Sequence, residues 1–80
     1  MATEIRGTTD DKTRMMLGQI RKVFDPCWIQ GFDNGRFLVS FNDDSDSLNE
    51  LKAFADMYGY EMWDEDDDAG WRDYTFVSKD

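Results

Sequence analysis

Trp28-Ile29-Gln30-Gly31-Phe32-Asp33-Asn34-Gly35-Arg36-Phe37-Leu38-Val39-Ser40-Phe41 is the stretch that decides the fold. Asn34-Gly35 separates two runs rich in aromatic and β-branched residues. A two-residue type I′ turn needs positive φ at both positions, which asparagine and glycine tolerate. Closing the turn with Asp33 opposite Arg36 pairs Phe32 with Phe37, Gln30 with Val39 and Trp28 with Phe41. Trp28, Phe32, Phe37, Val39 and Phe41 then share one face, the pattern of a strand pair with one buried side. A hairpin over 27–41 is expected.

Upstream, Met16, Leu17, Ile20, Val23 and Phe24 recur at helical spacing, with Arg14, Arg21 and Lys22 on roughly the opposite face. Thr8 with Asp11 makes a capping-box-like start, and Pro26 ends the helix near Phe24. Residues 1–8 read as a flexible lead-in. Downstream, Leu48, Leu51, Phe54, Ala55 and Tyr58 form a second helical stripe that Gly59 stops. Its N-cap is Asp44 or Asp46, or else Ser47 in a capping box with Glu50. Tyr60–Asp64 and Trp71–Ser78 read as a second hairpin around the loop 65–70.

Helix, hairpin, helix, hairpin is an αββαββ order. An offset of 35 residues aligns Met16 with Leu51, Trp28 with Trp63, Gly35 with Gly70 and Phe41 with Phe76. Any two αββ units share such anchors, so the alignment is compatible with an internal repeat without requiring one. The expected fold is α+β, one domain over residues 1–80, with a four-stranded, largely antiparallel sheet and both helices on one face.

The chain has 15% aromatic residues, which separates it from a disordered acidic tail, and a net charge of −9. Charge is unevenly spread: residues 1–36 carry six bases and five acids, residues 37–80 three bases and thirteen acids. Eleven carboxylates fall within 43–68 against Lys52 alone. This balance disfavours direct binding to nucleic acid or anionic membranes. One cysteine, no apolar run of signal-peptide length in Met1–Lys12 and no stretch that could span a bilayer suggest a soluble protein of the cytoplasm.

Little here suggests catalysis. The chain has no histidine, the usual general base and commonest metal ligand. Cys27 lacks an imidazole partner and reads as a buried structural thiol. Asp64-x-Asp66-x-Asp68 opens like a calcium loop, but Ala69 stands where the sharp-turn glycine belongs and Thr75 replaces the closing glutamate. The reading is a non-enzyme with no cofactor and no dedicated metal site. A domain steadied by divalent cations is the weaker third possibility.

Two features point to binding. The first is the massed carboxylates Asp43, Asp44, Asp46, Glu50, Glu61, Asp64, Glu65, Asp66, Asp67, Asp68 and Asp73, with Trp71 beside them. Such density destabilises a small fold and exceeds what solubility needs. Its simplest use is docking to a basic surface of another protein. The second is the sheet face away from the helices, expected to show Ile29, Leu38, Met62, Trp71 and Val77, while Trp28, Phe41, Trp63, Tyr74 and Phe76 face inward. Solvation, a homodimer or a foreign partner could each account for it.

In size, acidity and the massing of carboxylates over 43–68, the chain resembles small acidic phage- or mobile-element-encoded inhibitors of the anti-CRISPR and anti-restriction type. The likeness is one of composition and layout in the second half of the chain. That resemblance implies a nucleic-acid mimic that occupies a basic nucleic-acid-binding site on a host protein, in the host cytoplasm if phage-encoded. The alternative is a non-catalytic interaction or homodimerisation domain that uses the open sheet face.

Overall fold

A computed structural model describes residues 3–7, 10–42, 48–68 and 70–79, apart from the side chains of Asn34 and Asp68. The elements run β1 (Ile5–Gly7), α1 (Asp11–Phe24), β2 (Trp28–Phe32), a 3-10 turn (Asp33–Gly35), β3 (Arg36–Asn42), α2 (Leu48–Met57), β4 (Tyr60–Asp68) and β5 (Trp71–Ser78). The five strands form one mixed sheet in the order β1-β2-β3-β5-β4, with β1 parallel to β2 and the other neighbours antiparallel. The fold is therefore α+β, with two helices packed on a five-stranded mixed sheet.

The extra strand comes from the segment read as a lead-in. Ile5, Arg6 and Gly7 pair with Ile29, Gln30 and Gly31. A Cβ on Gly7 would lie 2.3 Å from the Gly31 carbonyl oxygen, so this close approach requires glycine, as does its φ of 79°. Gly31 leaves room on the other side, a use of glycine inside a strand.

Helix α1 begins one residue after Asp10, whose side chain accepts a hydrogen bond from the Thr13 backbone N–H at 3.1 Å. Asp10 thus fills the N-cap role, and Thr8 lies outside the described residues. The helix ends at Phe24, and Asp25 adopts the left-handed conformation at φ 51° before Pro26. Its inward stripe is Thr13, Met16, Leu17 and Ile20, whereas Val23 is 59% exposed. Buried Thr13 and Tyr60 share a hydroxyl–hydroxyl hydrogen bond of 2.6 Å, which satisfies both and ties α1 to β4. Helix α2 stops as its sequence requires: Gly59 takes φ 87° and its N–H reaches the Asp56 carbonyl. Lys79 then bonds Asp56, and that contact raises the lysine's pKa above its ordinary 10.5. The proposed caps of α2 at Asp44, Asp46 and Ser47 lie outside the described residues.

The first hairpin forms, but one residue out of the expected register. Phe32 pairs with Arg36, Gly31 with Phe37, Ile29 with Val39 and Trp28 with Ser40. Its loop has three residues, Asp33-Asn34-Gly35, and only Gly35 needs positive φ, at 72°. Because side chains alternate, the slip turns all of β2 over. Ile29 enters the core with Phe37, Val39 and Phe41, while Trp28 and Phe32 move to the face opposite Phe37. Burial favours this outcome, since it leaves Ile29 fully buried and fits Gly31 against β1.

At the sheet centre, β3 and β5 pair Phe37 with Phe76, Val39 with Tyr74 and Phe41 with Arg72. Adding 35 converts Val39 into Tyr74, Phe37 into Arg72 and Phe41 into Phe76, so the seam maps onto itself. The α1-β2-β3 and α2-β4-β5 units thus meet across a local two-fold through the Val39–Tyr74 pair. Both helices contribute to one core, which joins Met16, Leu17, Ile20, Leu51 and Ala55 to the inward strand residues. Phe37 and Phe76 stack at 5.1 Å between ring centroids, and Tyr60 meets Phe37 edge-on at 5.4 Å. Among the described residues, no helix is long and apolar enough to cross a membrane.

Candidate functional site

The acids 65–68 were expected in the hairpin loop, yet they continue the strand. β4 continues to Asp68, pairing Asp64 with Thr75, Glu65 with Tyr74, Asp66 with Asp73, Asp67 with Arg72 and Asp68 with Trp71. Gly70, at φ 88°, makes the tight return into β5 possible. The cross-strand partners explain the extension. Arg72 lies 3.8 Å from Asp67 and offsets part of the repulsion, and the β5 stem is held on its other side by β3.

An irregularity between Met62 and Asp64 decides which way the acids point. A bulge sets two residues against one and shifts the alternation that follows. Before it, Tyr60 and Met62 face the core; after it, Glu65 and Asp67 take the helix side, opposite Tyr74 and Arg72. Trp63 turns outward with Glu61, Asp64 and Asp66. Pairing of Met62 with Phe76, ahead of the bulge, overturns the outward placement expected for Met62 and the inward one for Trp63, and the bulge redirects the acids that follow.

β4 is the last strand of the sheet, so its acids form a two-sided edge. Glu65, Asp66 and Asp67 line a shallow cleft of about 230 Å³ with Leu48, Arg72 and Tyr74. Leu48 opens α2, which places Glu50 of that first turn on the helix side of the edge. On the other side, Asp66 sits across from Asp73, a like-charge pair, and Asp73 accepts a hydrogen bond from the Ser40 hydroxyl. Trp71 lies one strand in, 46% exposed. Asp43, Asp44 and Asp46 lie outside the described residues, and so does the side chain of Asp68. Among the described residues, no three carboxylates, thiols or imidazoles converge to hold a metal ion.

The face away from the helices differs from its expected makeup. Ile29 and Met62 point inward, Leu38, Trp71 and Val77 stay outward, and Trp28 and Trp63 join them. All three tryptophans of the chain now occupy this face, 39%, 63% and 46% exposed for Trp28, Trp63 and Trp71. Guanidinium groups cover two of them: Arg6 lies 4.2 Å from the Trp28 ring centroid and Arg36 lies 5.7 Å from that of Trp63. Sequence reasoning missed these stacked pairs. The signal available was Gly31, whose presence inside a strand pointed to close backbone packing and to another register. Cys27, expected buried, is exposed, with its backbone N–H bonded to the Ser40 carbonyl. Comparison with protein-family models, with curated proteins and with solved structures finds no match to this chain.

Proposed function

We propose that this chain is a non-catalytic binding protein that docks its acidic β4 edge onto the basic nucleic-acid-binding surface of another protein. One observation carries the reading. Asp64 to Asp68 run as extended edge strand, five consecutive carboxylates on a rigid element. A strand advances about 3.3–3.4 Å per residue, and one strand of duplex DNA carries one charge per about 3.4 Å of axis. The edge thus repeats the linear charge density of a phosphate backbone. One or two charges suffice to keep an edge strand from pairing with other sheets. Five consecutive acids exceed that need, and one of them, Asp66, stands directly across from Asp73.

In this reading Glu61, Asp64, Glu65, Asp66, Asp67 and Asp68 meet lysines and arginines spaced for phosphates, with Glu50 and Asp73 flanking them. Trp71 supplies apolar contact at the margin. The mode of action is that of an anti-CRISPR or anti-restriction inhibitor working in the cytoplasm: the edge occupies a groove that nucleic acid would otherwise fill.

The test is competition. Purified DNA- and RNA-binding proteins are titrated with the chain, with duplex DNA or RNA as competitor, across a salt series. Binding to at least one of them should be displaced by its nucleic acid. It should also weaken about tenfold or more between low and physiological salt, by analogy with phosphate contacts. Asp66→Asn, Asp67→Asn and Asp68→Asn together should slow association chiefly, because rim charges act on encounter. Binding indifferent to salt and to the triple change would refute the proposal.

A further inference from the structure

The open sheet face divides into halves of opposite charge. Its β1-β2-β3 half presents Arg6 and Arg36 with Trp28 and Phe32, and no carboxylate occupies an outward strand position there. Glu4, just ahead of β1, lies 3.7 Å from Arg6 and is 75% exposed, and Asp73 of β5 reaches the Ser40 hydroxyl at the border of this half. The β5-β4 half presents Glu61, Asp64, Asp66 and Asp73 with Trp63 and Trp71, and no base occupies an outward position. In a chain of net charge −9, the two arginines of this face stack on separate tryptophans, Arg6 on Trp28 of β2 and Arg36 on Trp63 of β4.

We propose that two copies of this chain pair face to face through the open sheet, about a two-fold axis parallel to the strands. Closed two-fold pairing uses one patch twice, so the patch must complement itself. A two-fold axis along the strands lays β1 of one copy over β4 of the other, β2 over β5 and β3 over β3, so Arg6 faces the acids of β4 while Arg36 lies near the axis. An in-plane axis across the strands would set like half on like half. Cross-strand register sharpens the contact: Arg6, Gln30, Leu38, Thr75 and Asp64 form one continuous row. Reversing strand order brings Arg6 over the Asp64 end of that row.

Area supports a dimer of modest affinity. Strands about 4.8 Å apart and about seven residues long give a face of roughly 500 Å² per copy. The pair would bury about 1,000 Å², near the lower limit of specific interfaces. Three partly exposed tryptophans supply the apolar part of the contact, and tryptophan is the side chain most enriched among energetic anchors. The net repulsion between copies is screened beyond about 8 Å at physiological salt. A dissociation constant in the range of about 1–100 µM is expected. The inference does not rest on edge docking and competes with it for Glu61, Asp64 and Asp66, while Glu65 and Asp67 on the helix side of β4 remain outside the pair.

Sedimentation equilibrium of the full chain at physiological salt should show a monomer–dimer equilibrium. Tryptophan emission should shift to shorter wavelength over the same concentrations, because all three indoles lie in the interface. Arg6→Glu should weaken dimerisation at least about tenfold, and so should Asp64→Arg. Mixing the two variants should restore a heterodimer, because each then offers the charges the other lacks. Both positions are exposed, and circular dichroism checks that the variants keep their fold. A chain that stays monomeric up to about 1 mM, with constant emission, overturns the proposal. It is equally overturned by a dimer that both variants leave intact, by a mixture that stays monomeric, or by a monomer whose emission shifts only when a different protein is added.

Discussion

The α1-β2-β3 and α2-β4-β5 units share a skeleton and a joint but carry opposite electrostatics. Residues 11–42 hold five bases and three acids, a net of +2; their counterparts at 46–77 hold two bases and ten acids, a net of −8. The inward positions agree across the units: Met16 and Leu51, Ile20 and Ala55, and Phe41 and Phe76 are all buried. Gly35 and Gly70 take similar positive φ, and Trp28 and Trp63 both stand on the open face. The units diverge in β2 and β4, where buried Ile29 has an exposed acid as its counterpart. By strand pairing, with the bulge shifting β4 by one, Ile29, Gln30, Gly31 and Phe32 of β2 correspond to Glu65, Asp66, Asp67 and Asp68 of β4. Position in the sheet accounts for the difference: β2 is covered by β1 along its outer edge, whereas β4 is an edge strand. A flanked strand can carry apolar residues and glycine, but an unflanked one needs charge to stay unpaired.

The severest way to break this arrangement is at the joint. Phe37→Ala or Phe76→Ala removes one ring of the stacked pair between the units and should cost about 3–5 kcal/mol. In a domain of this size that is a large share of total stability. Urea unfolding would measure it, and a loss under about 1 kcal/mol would mean that the seam is not where the units are held together.

The turns offer a finer comparison. Gly35→Ala and Gly70→Ala each put a Cβ at positive φ, with an expected cost of about 1–2 kcal/mol apiece. At Gly35 the new Cβ would also lie 3.0 Å from the Ser78 Cβ, so that substitution should be the worse of the two. Thermal melts of the pair would separate them. A neutral Gly35→Ala would contradict the three-residue loop and its register.

The smallest effect concerns charge alone. Asp66 faces Asp73, whereas Asp67 faces Arg72. Asp66→Asn should therefore stabilise the fold by about 0.2–1 kcal/mol, an effect that fades as salt rises. Asp67→Asn should stabilise less or slightly destabilise, since it gives up the arginine contact at 3.8 Å. Equal effects from the two changes would mean that β4 does not hold this register.

Much of this architecture is legible in the sequence. Pro26 and Gly59 end their helices where expected, and the apolar spacing of Met16, Leu17 and Ile20 marks the buried stripe. What escapes is parity. The choice between a two-residue turn at Asn34-Gly35 and a three-residue loop from Asp33 to Gly35 shifts pairing by one, and that reverses Trp28, Ile29 and Phe32. A bulge at Trp63 does the same to the acidic run. Both are local backbone choices decided by long-range burial, which no window of sequence contains. β1 escapes for another reason: three residues in parallel pairing carry no periodicity to read. The candidate site fared similarly. Its residues were visible as a charge excess, but their arrangement as a strand edge came from pairing with Thr75, Tyr74, Asp73 and Arg72.

The central seam also has a consequence for how the chain reaches this structure. Phe37 and Phe76 are 39 residues apart in sequence, whereas each hairpin joins strands that are nearly adjacent. Closing a long loop costs more entropy than closing a short one, and nothing offsets that cost until the distant strands meet. The hairpins and helices can therefore form early and reversibly, each within its own unit, while docking of β3 on β5 crosses the main barrier. Substitutions in the seam should therefore slow folding, because they weaken contacts made in that step.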